Sequence, residues 1–478
     1  MKRLLSLLLT CAFLLGALTA CGGGKTEPQT ASSSEPASAS TAAASAEPAS
    51  AAAEPTEAEL EPFTETENFP YPFPVEEGEI SVMLILTREQ ALYDYDTMWL
   101  LLEQNFPFFP AIQNELGIDA QAVKAAYRAE VEELCADGKV GLSQYVEVIQ
   151  RCLAELYTVG HLYLFDASFR ETVIRYAEGM TGLNKNVGDL VSNARSEQVY
   201  TAYEKAIYQT ISNWPSKKVL PISYNGMDEP DEVVQTVEPG VTLGYADGVP
   251  YVGMTTFSDW TEETEDAIYA FLAQQTDAED LILDIRYNRG GSTGAWQYLV
   301  AILADQEYPC DFVFGVQAGA LNLALNPDLL NGFSCTQVYT ADTWREEFPD
   351  IPTEKTEGMD AILKMPVGVS PAKNSLHFQG KIWVLTNESN YSASDQFAYF
   401  CKISGFAPLV GAQTGGNGVG AQPCAMALPW SGLLLYYAPY YGVNLDGTCN
   451  GIYGTMPDCE TSAATALTDC LALIRQGG

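Results

Sequence analysis

The sequence predicts an α/β protein of the α+β kind: an N-terminal helical subdomain, then a mixed α/β core whose βα turns carry the functional residues. Three observations lead there. Between Arg88 and Tyr157, apolar residues recur at helical spacing in three successive segments. Two continuous β-branched and aromatic runs, Asp280–Ile285 and Lys381–Thr386, have the length of buried strands, and each passes through a turn into a helical spacing. Gly240–Thr256 alternates around Asp247-Gly248, which reads as a hairpin.

The 478 residues suffice for two or three domains, and 47% hydrophobic content supplies a sizeable core. A net charge of −38 disfavours nucleic acid and anionic lipid surfaces as partners. Lys2 and Arg3 followed by the apolar run Leu4–Leu18 read as a secretion signal, too short to span a membrane. Leu18-Thr19-Ala20-Cys21 resembles a bacterial lipobox; the resemblance implies cleavage before Cys21 and a lipid on its thiol, whereas without it Cys21 is incidental to a plain cleaved signal. Residues 22–79 are rich in Ala, Ser, Pro and Glu and read as a disordered tether. Cys449 with Cys459 is the shortest-loop pairing among the remaining cysteines. With only two histidines and no Cys-x-x-Cys, neither a metal site nor a cofactor is expected.

The domain reading is 1–21 signal and lipobox, 22–79 tether, 80–170 helical subdomain, 171–239 helical and irregular connection, and 240–478 core with 305–379 as a lid. Ile80–Leu86 reads as a strand or an extended lead-in. Arg88–Asn105 is an amphipathic helix broken by Phe106-Pro107-Phe108-Phe109-Pro110. Asp119 caps a second helix to Cys135, and Leu142–Tyr157 is a third. Tyr200–Ile211 is the clearest helix of the connection. Trp260–Thr276 is a helix with acids in its first turn, as the dipole favours. A helix through Trp296, Val300 and Leu303 follows the Gly290-Gly291 turn. Ala421–Tyr441 gives strands, and Ala463–Arg475 a final helix.

The chemistry concentrates in Lys381–Gly418. Ser392 stands on a turn between a strand end and a helix start, where unsatisfied N–H groups from Ala393 onward can hold an oxyanion. The same Ser392-Ala393-Ser394-Asp395 also reads as an ordinary capping box. Likewise, Arg286-Tyr287-Asn288-Arg289-Gly290-Gly291 forms a βα turn whose amides can face an anion or merely turn the chain. His161 follows Gly160 just past the third helix, an unusual place that by itself reads as a partly buried histidine with a local hydrogen bond; His377 reads as incidental.

Thr-Asn, then Tyr-Ser-Ala and Gly-x-x-Thr-Gly-Gly, together with Asp-Ile-Arg-x-Asn-x-Gly-Gly and the closing Asn450–Asp458 segment, resemble the C-terminal-processing or tail-specific serine peptidases. The similarity is greatest to their tricorn and interphotoreceptor-retinoid-binding-protein-like branch. It implies a ClpP/crotonase-like core, Ser392 as nucleophile rather than Ser389 or Ser394, His161 as base, and Ala393 with Gly290 or Gly291 as oxyanion donors. Where the Ser–Lys members carry a lysine, this chain has Asn417, which cannot take a proton. Lys402 is ten residues along the Ser392 helix, about 15 Å away. A Ser–His mechanism is therefore expected, active through an imidazole pKa of roughly 6.5. The branch also places a serine before the histidine and a glutamate in the closing segment; here Gly160 and Asn450 stand there. The expected function is a lipid-anchored, extracytoplasmic serine peptidase acting on peptides or proteins, the alternative a non-catalytic binder of peptides or hydrophobic ligands on the same scaffold.

Overall fold

The computed structural model describes residues 84–213, 226–330, 337–340, 343–349, 351 and 358–477. The expected signal peptide, Cys21 and tether lie outside these residues, as does the start of the Ile80–Leu86 lead-in.

A seven-stranded sheet forms the centre. Its strands are Glu232–Val237, Val241–Ala246, Val249–Met254, Asp280–Asp284, Lys381–Thr386, Leu409–Gly411 and Cys459–Glu460, and their order in space is their order along the chain. The first three are antiparallel, with Asp247 and Gly248 at positive φ in the tight turn of the expected hairpin. From Val249–Met254 onward every neighbouring pair is parallel. Parallel strands need crossovers, which include the helices Glu262–Leu272, Thr293–Leu303 and Ala393–Ser404. Covered on both faces, the parallel strands are buried nearly throughout, which is why they read as unbroken apolar runs. The parallel register Leu385↔Asp284 aligns the C-terminal ends of the two strands that lead into the Gly-Gly and serine turns.

The N-terminal helices form where their signals place them. Thr87 closes a capping box on Arg88–Asn105, and Asp119 accepts from the amides of Gln121 and Ala122 to start Ala120–Leu134. The third helix, Leu142–Glu155, buries one face. Phe109–Leu116, Ala167–Ala177 and Gly182–Val191 are helices that the sequence pattern did not separate from their surroundings. These helices share one apolar core with the strands Cys424–Ala427 and Leu434–Tyr437; a second core lies under the Ala393–Ser404 helix.

The segment 305–379 differs from the expected lid. Asp311–Val316, Gln337–Tyr339 and Ala361–Pro366 join Tyr440–Val443 in a four-stranded sheet, because Phe312, Phe314 and Val316 alternate into the core. The Cys449–Cys459 pairing is also corrected: none of the eight described cysteines is joined in a disulfide. Cys449 is sealed in the core beside the Asn450–Tyr453 turn, whereas Cys459 sits in the edge strand opposite Val410. Among the described residues no helix is long and apolar enough to cross a membrane.

Candidate active site

The serine turn and the Gly-Gly turn are laced together by side chains. Asn390 donates to the carbonyls of Ile285 and Asn288, Ser389 to Arg286 at 2.7 Å, and Ser394 to Asn288 at 2.7 Å. Arg286 is itself buried, held by Asp284 and Asp228. Both neighbouring hydroxyls are thus committed to structure. Ser392 is different. Its φ of 58° and ψ of −125° put it in a strained region for a residue with a Cβ, and its side chain makes no capping bond. The capping-box reading is overturned: Ser394, not Ser392, accepts an amide here, that of Tyr391 at 2.9 Å. Ser392 is held by its own backbone, with N–H donating to Gly416 at 3.0 Å and C=O accepting from Gln396 at 2.8 Å.

Gly290 packs directly against this turn. A methyl group there would stand 2.6 Å from the Tyr391 carbonyl oxygen and 3.1 Å from both Ala393 N and Ser392 Cβ, and its φ of 106° also demands glycine. Its amide is already used, donating to Asn288 Oδ1 at 2.8 Å. The Gly291 and Ala393 amides have no acceptor among the described residues. Of the two glycines expected to supply an oxyanion donor, Gly291 has the available N–H and Gly290 provides close approach.

His161 lies in a loop of unusual backbone. Tyr157, Thr158, Gly160 and His161 all have positive φ, at 62°, 53°, 61° and 57°. The loop is fixed to the core by Gly160, whose N–H donates to Asn417 Oδ1 at 2.9 Å and whose C=O accepts from Ala438. The Tyr391 hydroxyl donates to Thr158 O at 3.3 Å, and its ring centroid is 4.8 Å from that of His161. The structure therefore brings the base stretch against the residue just before Ser392, without a hydrogen bond between imidazole and hydroxyl. His161 is 5% exposed, with Nδ1 buried and unpartnered. Burial alone pulls its pKa down to about 3. The expected acid limb near the ordinary imidazole value is corrected accordingly.

The departures from the resembled branch have steric and hydrogen-bonding reasons. At Gly160, any Cβ would sit 2.5 Å from the Phe108 ring, so the space for a serine side chain is filled. Asn450 accepts from the amides of Gly418 and Val419 at 3.0 and 3.1 Å and donates to Asn444. It clamps the glycine-rich loop instead of orienting the base. Asn417, in left-handed conformation at φ 63°, joins the base loop to the closing segment. Lys402 is tied to Asp458 and Met456 O, both at 2.9 Å.

The sequence reading did not single out Asp395, one turn into the Ser392 helix and fully buried. Its carboxylate accepts from Thr414, from Thr455 at 2.8 Å and from the Gly418 amide at 2.9 Å. Burial raises its pKa and these bonds oppose the rise. The acid in the capping-box pattern was its only sequence signal.

Residues 248–461 match the model of Peptidase family S41. No curated protein sequence matches the chain. Among solved structures, the chain is similar to mature CPAF complexed with lactacystin, at 13% identity and a TM-score of 0.51, covering 81% of this chain and 98% of that one. Unliganded mature CPAF gives 14% identity, a TM-score of 0.50 and coverages of 81% and 97%. A candidate peptidase from Parabacteroides merdae ATCC 43184 gives 16% identity, a TM-score of 0.49 and coverages of 81% and 96%. The CPAF likenesses establish the shared mixed α/β fold. Through the core that holds both laced turns, the chain is similar to peptidase family S41, which supports a serine-type peptidase.

Proposed function

We propose that the chain hydrolyses peptide bonds by a Ser–His mechanism at the outer face of the cytoplasmic membrane, anchored by a lipid on Cys21. One observation carries the chemistry. Ser392 has the one uncommitted hydroxyl of its turn, on a strained backbone, beside the two unbonded amides of Ala393 and Gly291. Ser392 Oγ attacks the carbonyl carbon while its proton passes to His161. The two amides hold the oxyanion. Collapse breaks the C–N bond, His161 protonates the leaving amine, and water releases the acyl group by the same steps in reverse.

A fluorophosphonate tests this reading, since it captures an activated serine whatever the natural substrate. Labelling of wild type that is lost in Ser392→Ala and His161→Gln supports it; no labelling of wild type overturns it. A second reading, a non-catalytic binder of peptides or hydrophobic ligands, draws support from the unpartnered Nδ1 of His161 and the missing acid. Peptide binding without labelling would favour it. The lipid anchor predicts that Cys21→Ser abolishes palmitate incorporation and moves the protein out of the membrane fraction.

A further inference from the structure

A general base must be held in one orientation to be useful, and the usual holder is a carboxylate on the far ring nitrogen. Here that nitrogen is sealed and empty-handed, Gly160 has no side chain and Asn450 is engaged elsewhere. The imidazole is instead surrounded by rings from three separate elements. Tyr391 of the serine turn lies 4.8 Å away at 43°, Tyr436 of the Leu434–Tyr437 strand 5.9 Å away and edge-on at 74°, and Tyr163 6.5 Å away at 34°.

These rings are themselves braced. Tyr163 and Tyr436 face each other across a strand pair, 5.6 Å apart. Phe165 and Phe169 pack edge-on against Tyr436 at 5.5 and 5.1 Å. Tyr391 is pinned by its hydroxyl to Thr158.

We infer that Tyr391, backed by Tyr436, is the positioning residue of the base: an aromatic clamp fixes the His161 ring where the resembled branch uses a serine and a glutamate. The inference rests on the Ser–His reading of the site. Aromatic pairs at these spacings favour defined relative orientations. Ring faces also attract the imidazolium that forms when the serine proton arrives. Unlike a carboxylate, the clamp adds no negative charge at rest. The titratable groups facing the imidazole are the phenols of Tyr163, Tyr391 and Tyr436. The nearby carboxylates of Asp166 and Asp395 bear on Tyr163 and Tyr391, and burial alone sets the titration of His161.

The chain has two histidines, so ring-labelled histidine in the full-length protein gives two imidazole signals by NMR. Exposed His377 is the internal reference, and His161→Gln assigns the pair. In wild type the His161 signal is expected to stay sharp and unmoved from about pH 8 to pH 5. Tyr391→Leu should broaden it, move its titration toward the ordinary imidazole range and slow fluorophosphonate labelling about 100-fold, the cost of a misplaced reacting group. Tyr391→Phe, which restores the ring, should recover most of both. A folded Tyr391→Leu variant with unchanged signal and labelling overturns the clamp. So does a Tyr391→Phe variant as impaired as Tyr391→Leu, because the hydroxyl would then be the operative group. If Tyr391→Leu does not fold, Tyr436→Leu carries the same test with the same outcomes. The NMR measurement needs no activity: ring-dependent His161 titration without labelling keeps the clamp and removes the peptidase reading, and labelling with an insensitive His161 does the reverse.

Discussion

The two halves of the site are built by opposite means. The serine half is polar and laced: Ser389, Asn390 and Ser394 tie two βα turns together, leaving one hydroxyl and two amides uncommitted. The histidine half is mostly apolar and packed, a left-handed loop pressed among tyrosine and phenylalanine rings and tied by Gly160 to Asn417 and Ala438 and by Thr158 to the Tyr391 hydroxyl. Charge that develops on an oxyanion needs donors fixed beforehand, so hydrogen bonds suit the first half. A ring that must be neutral at rest and in one orientation can be held largely by packing, and burial keeps it unprotonated until a proton is delivered.

The largest expected effect separates the halves outright. Ser392→Ala should lower turnover by about 10⁴-fold or more, because the residual rate comes from the donors and binding alone. Next is Gly290→Ala, which forces a methyl group against the Tyr391 carbonyl at 2.6 Å. It should cost about 100-fold in fluorophosphonate labelling and about 1–3 kcal/mol in stability by urea unfolding, through strain at positive φ. On the packed half, Gly160→Ser restores the resembled branch's residue but drives it into the Phe108 ring, 2.5 Å from the new Cβ. It should lower stability by about 1–3 kcal/mol and bring no gain in labelling, as overpacking does. A gain in labelling would show that the ring yields and that the missing serine limits the base.

The pH dependence follows from the sign of the His161 shift. Its folded pKa, about 3, lies below the unfolded value of about 6.5, so protons favour the unfolded chain between the two. Stability should be full above about pH 6.5 and fall as pH drops toward 3; His161→Gln should flatten that dependence in thermal melts. Smallest is Lys402→Ala. The Lys402–Asp458 pair is half-exposed, so its loss should cost within about 1 kcal/mol and leave labelling unchanged. A large loss of labelling would return a lysine to the mechanism.

The serine half was legible in the sequence because it is local. Strand, turn and helix from Lys381 to Ser404 are written in consecutive residues, and the structure reproduces their bounds almost to the residue. The parallel strands were legible because burial on both faces leaves an unbroken apolar run. The packed half was not. Nothing near His161 in the chain announces Tyr391 or Tyr436, which arrive from more than 200 residues away. Asp395 was misread for a related reason: the same Ser-x-x-Asp spacing serves an exposed cap or a buried clamp, and only the arrival of Thr414, Thr455 and Gly418 decides. The segment 305–379 looked irregular because its strands are short and far apart in sequence, and their partner Tyr440–Val443 lies beyond the site altogether.

The brace of the glycine-rich loop comes from residues 450–455. Asn450 and Thr455 hold Gly418, Val419 and Asp395, and the loop they steady supplies the carbonyl that fixes Ser392 and the oxygen that fixes the histidine loop. The reacting groups therefore depend for their alignment on a segment that lies 60 residues beyond Asp395 in the chain. Cutting the chain between Gly418 and Asn450 would leave Ser392, His161 and the two amides in the sequence and remove the piece that aligns them.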